Sequence, residues 1–299
     1  MSNSNKLGIG LILLSFLFFS ASNAATRYIL YLNSIPISIY FVYVKLFAVL
    51  IFLGFGLIAF GKSFFNIKNK KVVFIRCMIL MINNICLTIS LLYLPLDIFY
   101  SIVFIMPLMT TVLGIALLKE RFVWLNILAV IIGFIGIIIV VQPNTQSSIG
   151  YIGIFTAILT AITGSASGII ARKYLREENP YSATFYVAVC SFTLGIILLA
   201  GEGRLNDFSN TIKYISFEVS AIIFFSALFT IIASTLFMKS YQITKATTLA
   251  PAQYTQLLWG ILFGYVLFND TTSLSTLLGS TVIIFATFFN FYVSNRSPK

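Results

Sequence analysis

One segment near the end of the chain reads Thr247-Thr-Leu-Ala-Pro-Ala-Gln-Tyr-Thr-Gln-Leu-Leu-Trp-Gly-Ile-Leu-Phe-Gly-Tyr-Val-Leu-Phe-Asn-Asp270. It is long enough to cross a bilayer, but its first half carries Pro251 and several polar side chains, namely Gln253, Tyr254, Thr255 and Gln256. Polar groups and a helix-breaking proline are tolerated at membrane depth only where they face protein or a wet cavity. The segment is therefore predicted to span the membrane and to line a cavity.

An earlier segment has a similar plan. It begins at Pro95, carries Pro107, and closes on the charged sequence Lys119-Glu120-Arg121. Each of the two segments is a proline-bearing span that ends in a carboxylate, Glu120 in one and Asp270 in the other. This pairing is the first indication of an internal repeat.

The composition indicates the class of protein. Of the 299 residues, 59% are hydrophobic and 9% are charged, whereas charged residues make up about a quarter of a soluble domain. The chain is therefore predicted to be an all-α polytopic membrane protein. It has no histidine, and Cys77, Cys86 and Cys190 all lie in apolar runs. These features argue against a disulfide framework, a metal site, a cofactor or histidine-based catalysis.

Hydropathy predicts ten transmembrane helices at about twenty apolar residues per crossing. The predicted spans are Leu7–Ala25, Ile37–Phe60, Val72–Leu92, Ile98–Leu118, Val123–Val141, Ile149–Ala171, Tyr181–Ala200, Phe217–Met238, Thr247–Phe268 and Leu274–Val293. The connections between them are short, and no soluble domain is inserted. The first span also resembles a secretory signal, because Lys6 precedes a short apolar core and Ser22-Asn-Ala24 fits a cleavage site. A retained helix is favoured, since its removal would break the division into five spans plus five.

The basic residues predict the orientation in the membrane, because cytoplasmic loops are enriched in Lys and Arg. Fifteen of the 19 basic residues, Arg76 among them, are assigned to the two termini and the loops after the even-numbered spans. Only Arg27, Arg204 and Lys213 fall on the opposite side, which leaves Lys45 as the one cation inside a span. Both termini are therefore predicted to be cytoplasmic. The net charge of +11 is explained by this orientation and does not indicate a nucleic-acid partner.

The two halves of the chain share a short pattern. Pro36, Ser38 and Phe41 enter span 2 with the same spacing as Pro180, Ser182 and Phe185 enter span 7. Because each half has five spans, the second half must lie inverted relative to the first, a recurring design of alternating-access transporters. The predicted repeats are residues 1–145 and 146–299.

These features resemble the EamA-type members of the drug/metabolite transporter superfamily over nearly the whole chain. The resemblance implies a secondary carrier of the bacterial cytoplasmic membrane whose substrate lies between the two halves. The Ala250-Pro251-Ala-Gln-Tyr254 opening of span 9 is similar to the S-adenosylmethionine uptake branch of the family. Two positions depart from the commoner pattern: Lys45 stands where many relatives carry arginine, and Asp270 replaces a glutamate.

Lys45 is the sharpest candidate for a functional residue. A charge inside a span is costly and by default suggests function, although a lysine about 12 Å deep can still reach the outer interface with strain. If Lys45 is functional, it either holds a substrate carboxylate or pairs with Asp97 to form an outer gate.

The other predicted site residues fall into two groups. The cavity lining is predicted to comprise Asn83, Asn84, Thr110, Gln253, Tyr254, Gln256 and Trp259. The carboxylates Asp97, Glu120 and Asp270 are predicted to serve as gate or coupling residues. Two Gly-x-x-x-Gly patterns, Gly164 to Gly168 and Gly260 to Gly264, are predicted to allow close helix packing.

Three classes of function account for such a chain. A transporter of a small organic metabolite, amino-acid-like or S-adenosylmethionine-like, explains the repeat and the polar spans together. A channel-forming or structural membrane protein is the alternative. A membrane-embedded enzyme is disfavoured, because no catalytic constellation is evident. The symmetry of the halves permits uptake or efflux, and the substrate gradient decides between them.

Overall fold

The computed structural model describes residues 3–32, 35–118, 124–141, 148–203, 216–244, 249, 255–270 and 272–296. These residues form eleven α-helices and one short 3-10 helix, Gly61–Phe65, with no strand among them. The α-helices are α1 Asn3–Leu32, α2 Ile37–Phe60, α3 Lys70–Tyr93, α4 Leu96–Val103, α5 Met106–Leu118, α6 Trp124–Val141, α7 Ser148–Tyr174, α8 Pro180–Gly201, α9 Phe217–Ile243, α10 Thr255–Phe268 and α11 Leu274–Arg296.

Short polar side chains begin several of these helices. The Asn179 side chain accepts a hydrogen bond of 3.0 Å from the backbone N–H of Tyr181, and Pro180 occupies the first helical position of α8. The Ser216 hydroxyl accepts from the N–H of Val219 at the start of α9. Such caps satisfy N–H groups that have no partner within the helix, and proline at the first position sacrifices no bond.

The helices have the properties of membrane spans. Seven helical segments of the described residues are long and apolar enough to cross a bilayer: Lys6–Tyr31, Ile37–Phe65, Lys70–Tyr93, Leu96–Gly114, Gly150–Tyr174, Pro180–Gly201 and Phe217–Ile243. Large apolar side chains cover their outward faces; Phe155, for example, is 63% exposed. Extended apolar surface of this kind is stable in lipid and not in water. The predicted class, an all-α polytopic membrane protein, is confirmed, whereas the count of ten spans stays a prediction.

The fourth span is not one continuous helix, in contrast to the predicted Ile98–Leu118. It consists of α4 and α5, which are separated by a turn at Phe104 and Ile105. Pro107 follows this turn, and because proline has no N–H it cannot donate to the carbonyl of Val103 four residues earlier. The break brings Met106 against α7, where the Ser165 hydroxyl donates to the Met106 carbonyl at 2.8 Å.

The helices pack in pairs. α1 runs along α9, α3 along α7, α2 along α8 and α6 along α11. α1 also contacts α10, while α7 contacts α4 and α5. Serine hydroxyls connect some of these pairs, as where Ser15 donates to the Ala233 carbonyl at 2.8 Å between α1 and α9. Hydroxyl side chains are small enough to allow close approach and still form hydrogen bonds across it.

One glycine of each predicted Gly-x-x-x-Gly pattern packs closely against a neighbouring helix. A methyl group at Gly168 would lie 2.8 Å from the Tyr241 ring, and one at Gly260 would lie 2.1 Å from the Tyr100 ring. Both glycines therefore allow an aromatic side chain to pack directly against the helix backbone.

Gly260→Ala is expected to lower the melting temperature of the purified protein, because the added methyl group must displace the buried Tyr100 ring. Overpacking of this kind costs about 1–3 kcal/mol. Gly264→Ala in the same helix is the matched control, since its methyl group would meet nothing closer than 3.5 Å. An unchanged melting temperature for Gly260→Ala, measured in detergent beside this control, would contradict the packing described for α10 and α4.

Candidate functional site

Two adjacent cavities lie within the helix bundle. Their volumes are about 110 and 120 Å³. They share a wall formed by α1, α3 and α9, with the residues Phe19, Asn23, Leu80, Asn83, Leu87 and Ser234. Because six residues belong to both, the two cavities are neighbouring chambers of one site.

We call the first cavity the aromatic chamber, because five aromatic side chains line it: Phe16, Phe19, Phe99, Tyr100 and Phe237. A few polar groups interrupt this apolar wall. The Asn23 amide donates to the Tyr100 hydroxyl at 3.0 Å, and Arg76, Asn83, Ser167 and Gln256 also line the chamber. A mostly apolar cavity with a few placed polar groups is typical of small-molecule sites.

We call the second cavity the hydroxyl chamber, because hydroxyl groups of α1, α2 and α9 form a network along its wall. The Ser22 hydroxyl lies 3.0 Å from that of Ser226 and 2.7 Å from that of Thr230. The Thr26 hydroxyl lies 2.7 Å from that of Tyr40. Each hydroxyl is both a donor and an acceptor, so this wall can accommodate either kind of polar group.

Lys45 lies in the wall of the hydroxyl chamber and is 8% exposed. Its ammonium donates to the Asn84 side-chain oxygen at 3.1 Å and lies 5.3 Å from the centre of the Phe41 ring. Asn84 is in the middle of α3, so the ammonium points into the bundle and not toward the near end of α2. The buried charge therefore faces a cavity.

Asn83 and Asn84 point in different directions, as expected for neighbours on a helix. The Asn83 amide donates to the Thr160 carbonyl at 2.8 Å and to the Thr163 hydroxyl at 2.9 Å, both on α7. The Asn84 amide donates to Ser191 of α8 at 3.2 Å. Asn83 therefore fixes the wall between the chambers, while Asn84 joins α3 to Lys45 and to α8.

At one end of the bundle, Arg27 of α1 forms an ion pair with Asp270, which directly follows α10. The geometry depends on Asn269, whose φ of 53° is left-handed, a conformation that asparagine tolerates better than most residues. The turn directs the Asp270 N–H back to the Gly264 carbonyl at 3.1 Å. The Arg27 guanidinium also lies 4.4 Å from the centre of the Phe268 ring. We call this end of the bundle the Asp270 end.

Asp97 belongs to the same end and not to Lys45. It is buried at the start of α4, within electrostatic range of both Arg27 and Asp270. Ion pairs between described residues join Arg27 to Asp270 and Lys68 to Glu177, and neither Lys45 nor Asp97 takes part in them. The Lys45–Asp97 pair considered from the sequence is therefore not formed in this structure. The reason is positional, since Lys45 is directed at the middle of α3 and Asp97 lies beyond its end.

At the opposite end of α3, a buried carboxylate holds two loops together. Glu178, in the connection from α7 to α8, accepts hydrogen bonds from the backbone N–H groups of Asn69 at 2.7 Å and Lys68 at 3.3 Å. The Gln242 side chain donates to the Glu178 carbonyl at 2.8 Å and thereby attaches the end of α9. We call this end of the bundle the Glu178 end.

The remaining predicted site residues are distributed unevenly. Gln256 is buried and lines the aromatic chamber. Thr110 and Trp259 lie outside the walls of both chambers, and the Thr110 hydroxyl donates to the Met106 carbonyl within its own helix. Gln253, Tyr254 and Glu120 lie outside the described residues.

Arg76 is a residue that the sequence reasoning misassigned. The charge count placed it with the cytoplasmic loops, but it lies within α3, is 2% exposed and lines the aromatic chamber. Arg76 falls inside the predicted span Val72–Leu92, so its position in the sequence already indicated a cation within the membrane. Asn23 and Tyr100 also line the aromatic chamber and were not predicted from the sequence.

Comparison with known proteins identifies relatives over the whole chain. The model of the EamA-like transporter family matches residues 6–142 and again residues 151–292. The S-adenosylmethionine uptake transporter of Rickettsia bellii is 26% identical over 98% of this chain and 96% of its own length, and that of Rickettsia conorii is 25% identical over 97% and 94%.

A solved crystal structure with 14% sequence identity superposes with a TM-score of 0.66 over 99% of both chains, which is a likeness of fold alone. The family match covers nearly the entire sequence, and it confirms the prediction of a transporter and not an enzyme. This polytopic membrane protein belongs to the EamA-like transporter family.

Proposed function

We propose that the protein is a secondary carrier that moves an S-adenosylmethionine-like metabolite across the cytoplasmic membrane by alternating access. The observation that carries the proposal is the similarity, over nearly the full length, to relatives named S-adenosylmethionine uptake transporters. The two chambers supply the second line of support, because together they offer different surfaces for different parts of one amphipathic molecule.

The chemistry of the chambers fits such a substrate. Aromatic rings attract a sulfonium cation and stack on planar bases. The hydroxyl network suits a ribose, whose hydroxyls both donate and accept. Lys45, Asn83, Asn84 and Gln256 then provide directed polar contacts along the walls. Each chamber is smaller than the roughly 300–1,000 Å³ of typical ligand pockets, so neither would hold a substrate of this size alone.

Alternating access is supported by the arrangement of the helices. Under the proposed division into five-helix inverted repeats, residues 1–145 and 146–299, the pair α1 with α9 is the counterpart of α3 with α7. The pairs α2 with α8 and α6 with α11 are each their own counterpart. Two separate family matches, one in each half, agree with this division. Inverted repeats allow one half to rock against the other around a central site.

Counterflow in proteoliposomes tests the carrier directly. Labelled S-adenosylmethionine outside vesicles loaded with the unlabelled compound should accumulate transiently, because exchange requires a site that opens to one side at a time. Amino acids, nucleosides and riboflavin serve as competitors. Passive equilibration without transient accumulation would favour a channel. Counterflow of a labelled competitor by protein that does not transport S-adenosylmethionine would reassign the substrate.

The topology is a separate prediction. Both termini are proposed to be cytoplasmic, because basic residues are concentrated at the termini and in the loops on their side of the membrane. With Arg76 placed in α3, fourteen basic residues belong to that side and three to the opposite side. Reporter fusions at Lys299 should give a cytoplasmic signal, and fusions within residues 206–213 an external one. The same signal from both fusions would contradict the proposed orientation.

A further inference from the structure

Arg76 is a buried cation that has no counter-ion among the described residues. Its side chain is among the largest fully buried side chains of the described residues. The Nε group donates to the Ser167 hydroxyl at 3.1 Å, but Nη1 has no hydrogen-bond partner in the part of the chain that the structure describes. A buried guanidinium is costly unless an anion neutralises it and its N–H groups are satisfied.

The described carboxylates do not meet this need. Asp97, Glu177, Glu178, Glu202, Glu218 and Asp270 are the acidic residues of the part that the structure describes. Two of them pair with other cations, Asp270 with Arg27 and Glu177 with Lys68, and no described carboxylate lies within 4.0 Å of the Arg76 nitrogens. The site is therefore arranged with a positive charge, a hydroxyl group and an unused donor facing the same cavity.

The position of Arg76 gives the aromatic chamber two distinct ends. Arg76 is six residues from the start of α3, about 9 Å along the helix, and it is on the side of the Glu178 end. Leu87, the last α3 residue that lines the chamber, lies eleven residues further, or about 16 Å. The neutral Asn23–Tyr100 pair lies toward the Asp270 end. A long substrate with one anionic terminus would therefore enter this chamber in one orientation.

We propose that Arg76 binds the carboxylate of the substrate. This inference rests on the proposed function and specifies the substrate class as a carboxylate-bearing metabolite. An arginine forms two parallel hydrogen bonds with a carboxylate, which a lysine cannot do. Lys45 is the less suitable of the two cations, because its ammonium is a point charge without the two parallel N–H groups of a guanidinium. The substrate carboxylate would accept hydrogen bonds from the guanidinium N–H groups of Arg76 and neutralise its charge.

The test compares S-adenosylmethionine with its methyl ester, in which the carboxylate is blocked. Binding of both to detergent-purified protein is measured by competition against labelled S-adenosylmethionine. The wild type should prefer the free acid about 10- to 100-fold, as expected for hydrogen bonds between charged groups. Arg76→Gln should bind the acid and the ester alike, while Lys45→Met should keep the preference. Lys71→Gln, an exposed cation of the same helix, is the matched control and should resemble the wild type.

Stability separates a binding role from a structural one. Arg76→Gln should raise the melting temperature of the ligand-free protein, because it removes an unneutralised buried charge. A lower melting temperature would overturn the proposal, as would a preference for the acid that persists in Arg76→Gln or that disappears in Lys45→Met.

The proposed substrate and the role of Arg76 are tested separately. If the wild type does not bind S-adenosylmethionine, that assignment fails, and the comparison is repeated with amino acids and their methyl esters. The role of Arg76 then holds if the wild type prefers the free acid and Arg76→Gln does not. It is overturned if no carboxylate is preferred.

Discussion

Lys45→Met is expected to reduce transport by at least tenfold while leaving a folded protein, and Lys45→Arg is expected to keep part of the activity. Methionine preserves the length of the side chain and removes its charge, whereas arginine preserves the charge. The ammonium faces the hydroxyl chamber and bonds to Asn84, so its loss removes a charged donor from the site. Hydrogen bonds to charged groups contribute about 1.5–3 kcal/mol, or roughly 10- to 100-fold in binding.

The fold should survive this substitution. Removing a buried charge that has no carboxylate partner among the described residues relieves a desolvation penalty, so the melting temperature of Lys45→Met should equal or exceed that of the wild type. Initial uptake rates of labelled S-adenosylmethionine in proteoliposomes, normalised to protein content, provide the measurement. Full transport by Lys45→Met would show that the charge has no role in transport.

The sequence also suggested a gate between Lys45 and Asp97, and this version can be tested separately. Lys45→Asp combined with Asp97→Lys would restore activity only if the two residues interact. Because Lys45 bonds to Asn84 and Asp97 lies near Arg27 and Asp270, the combined variant is expected to remain inactive.

Breaking the ion pair at the Asp270 end should have the second large effect. Asp270→Asn is expected to lower the melting temperature and to reduce transport several-fold, because it leaves the buried Arg27 guanidinium without its principal partner. Removing one member of a fully buried pair costs about 3–5 kcal/mol. The Asp270 side chain is 22% exposed, so solvent screening reduces this to about 1–3 kcal/mol.

Charge reversal distinguishes a pair from two independent charges. Arg27→Asp combined with Asp270→Arg should recover part of the stability and transport that each single variant loses. The control is Glu177→Gln, which breaks the exposed pair with Lys68 at side-chain exposures of 71% and 84%. Exposed pairs contribute little, so this variant should resemble the wild type. A loss in the double variant equal to the sum of the two single losses would show that Arg27 and Asp270 act separately.

The gate role predicted for Asp270 from the sequence would mean that the Arg27–Asp270 pair keeps the Asp270 end closed. It joins α1 to the end of α10, two helices that belong to different halves of the chain. If so, a cysteine introduced at Asn23, in the wall shared by the chambers, should react faster with an externally added thiol reagent in Asp270→Asn than in the intact pair. The comparison is made in a background lacking Cys77, Cys86 and Cys190.

Local sequence was sufficient for the class of protein and for some single residues. Apolar runs of about twenty residues predict membrane helices because the bilayer requires every backbone group to bond within its own segment. The bounds Ile37–Phe60 agree with α2 for this reason. A charge within such a run has a high energetic cost, so Lys45 could be singled out without knowledge of its neighbours. Asn83, Asn84 and Gln256 were found by the same reasoning.

The partners of these residues depend on long-range packing, which has no local signal. Arg27 and Asp270 are 243 positions apart, and only the contact between α1 and α10 brings them together. The same holds for Arg76 with Ser167 and for Asn23 with Tyr100. Hydropathy and charge indicate whether a segment is more stable in lipid or in water. The shapes of the helices determine which of them pack together. This packing forms the two chambers and brings the charged residues to their partners.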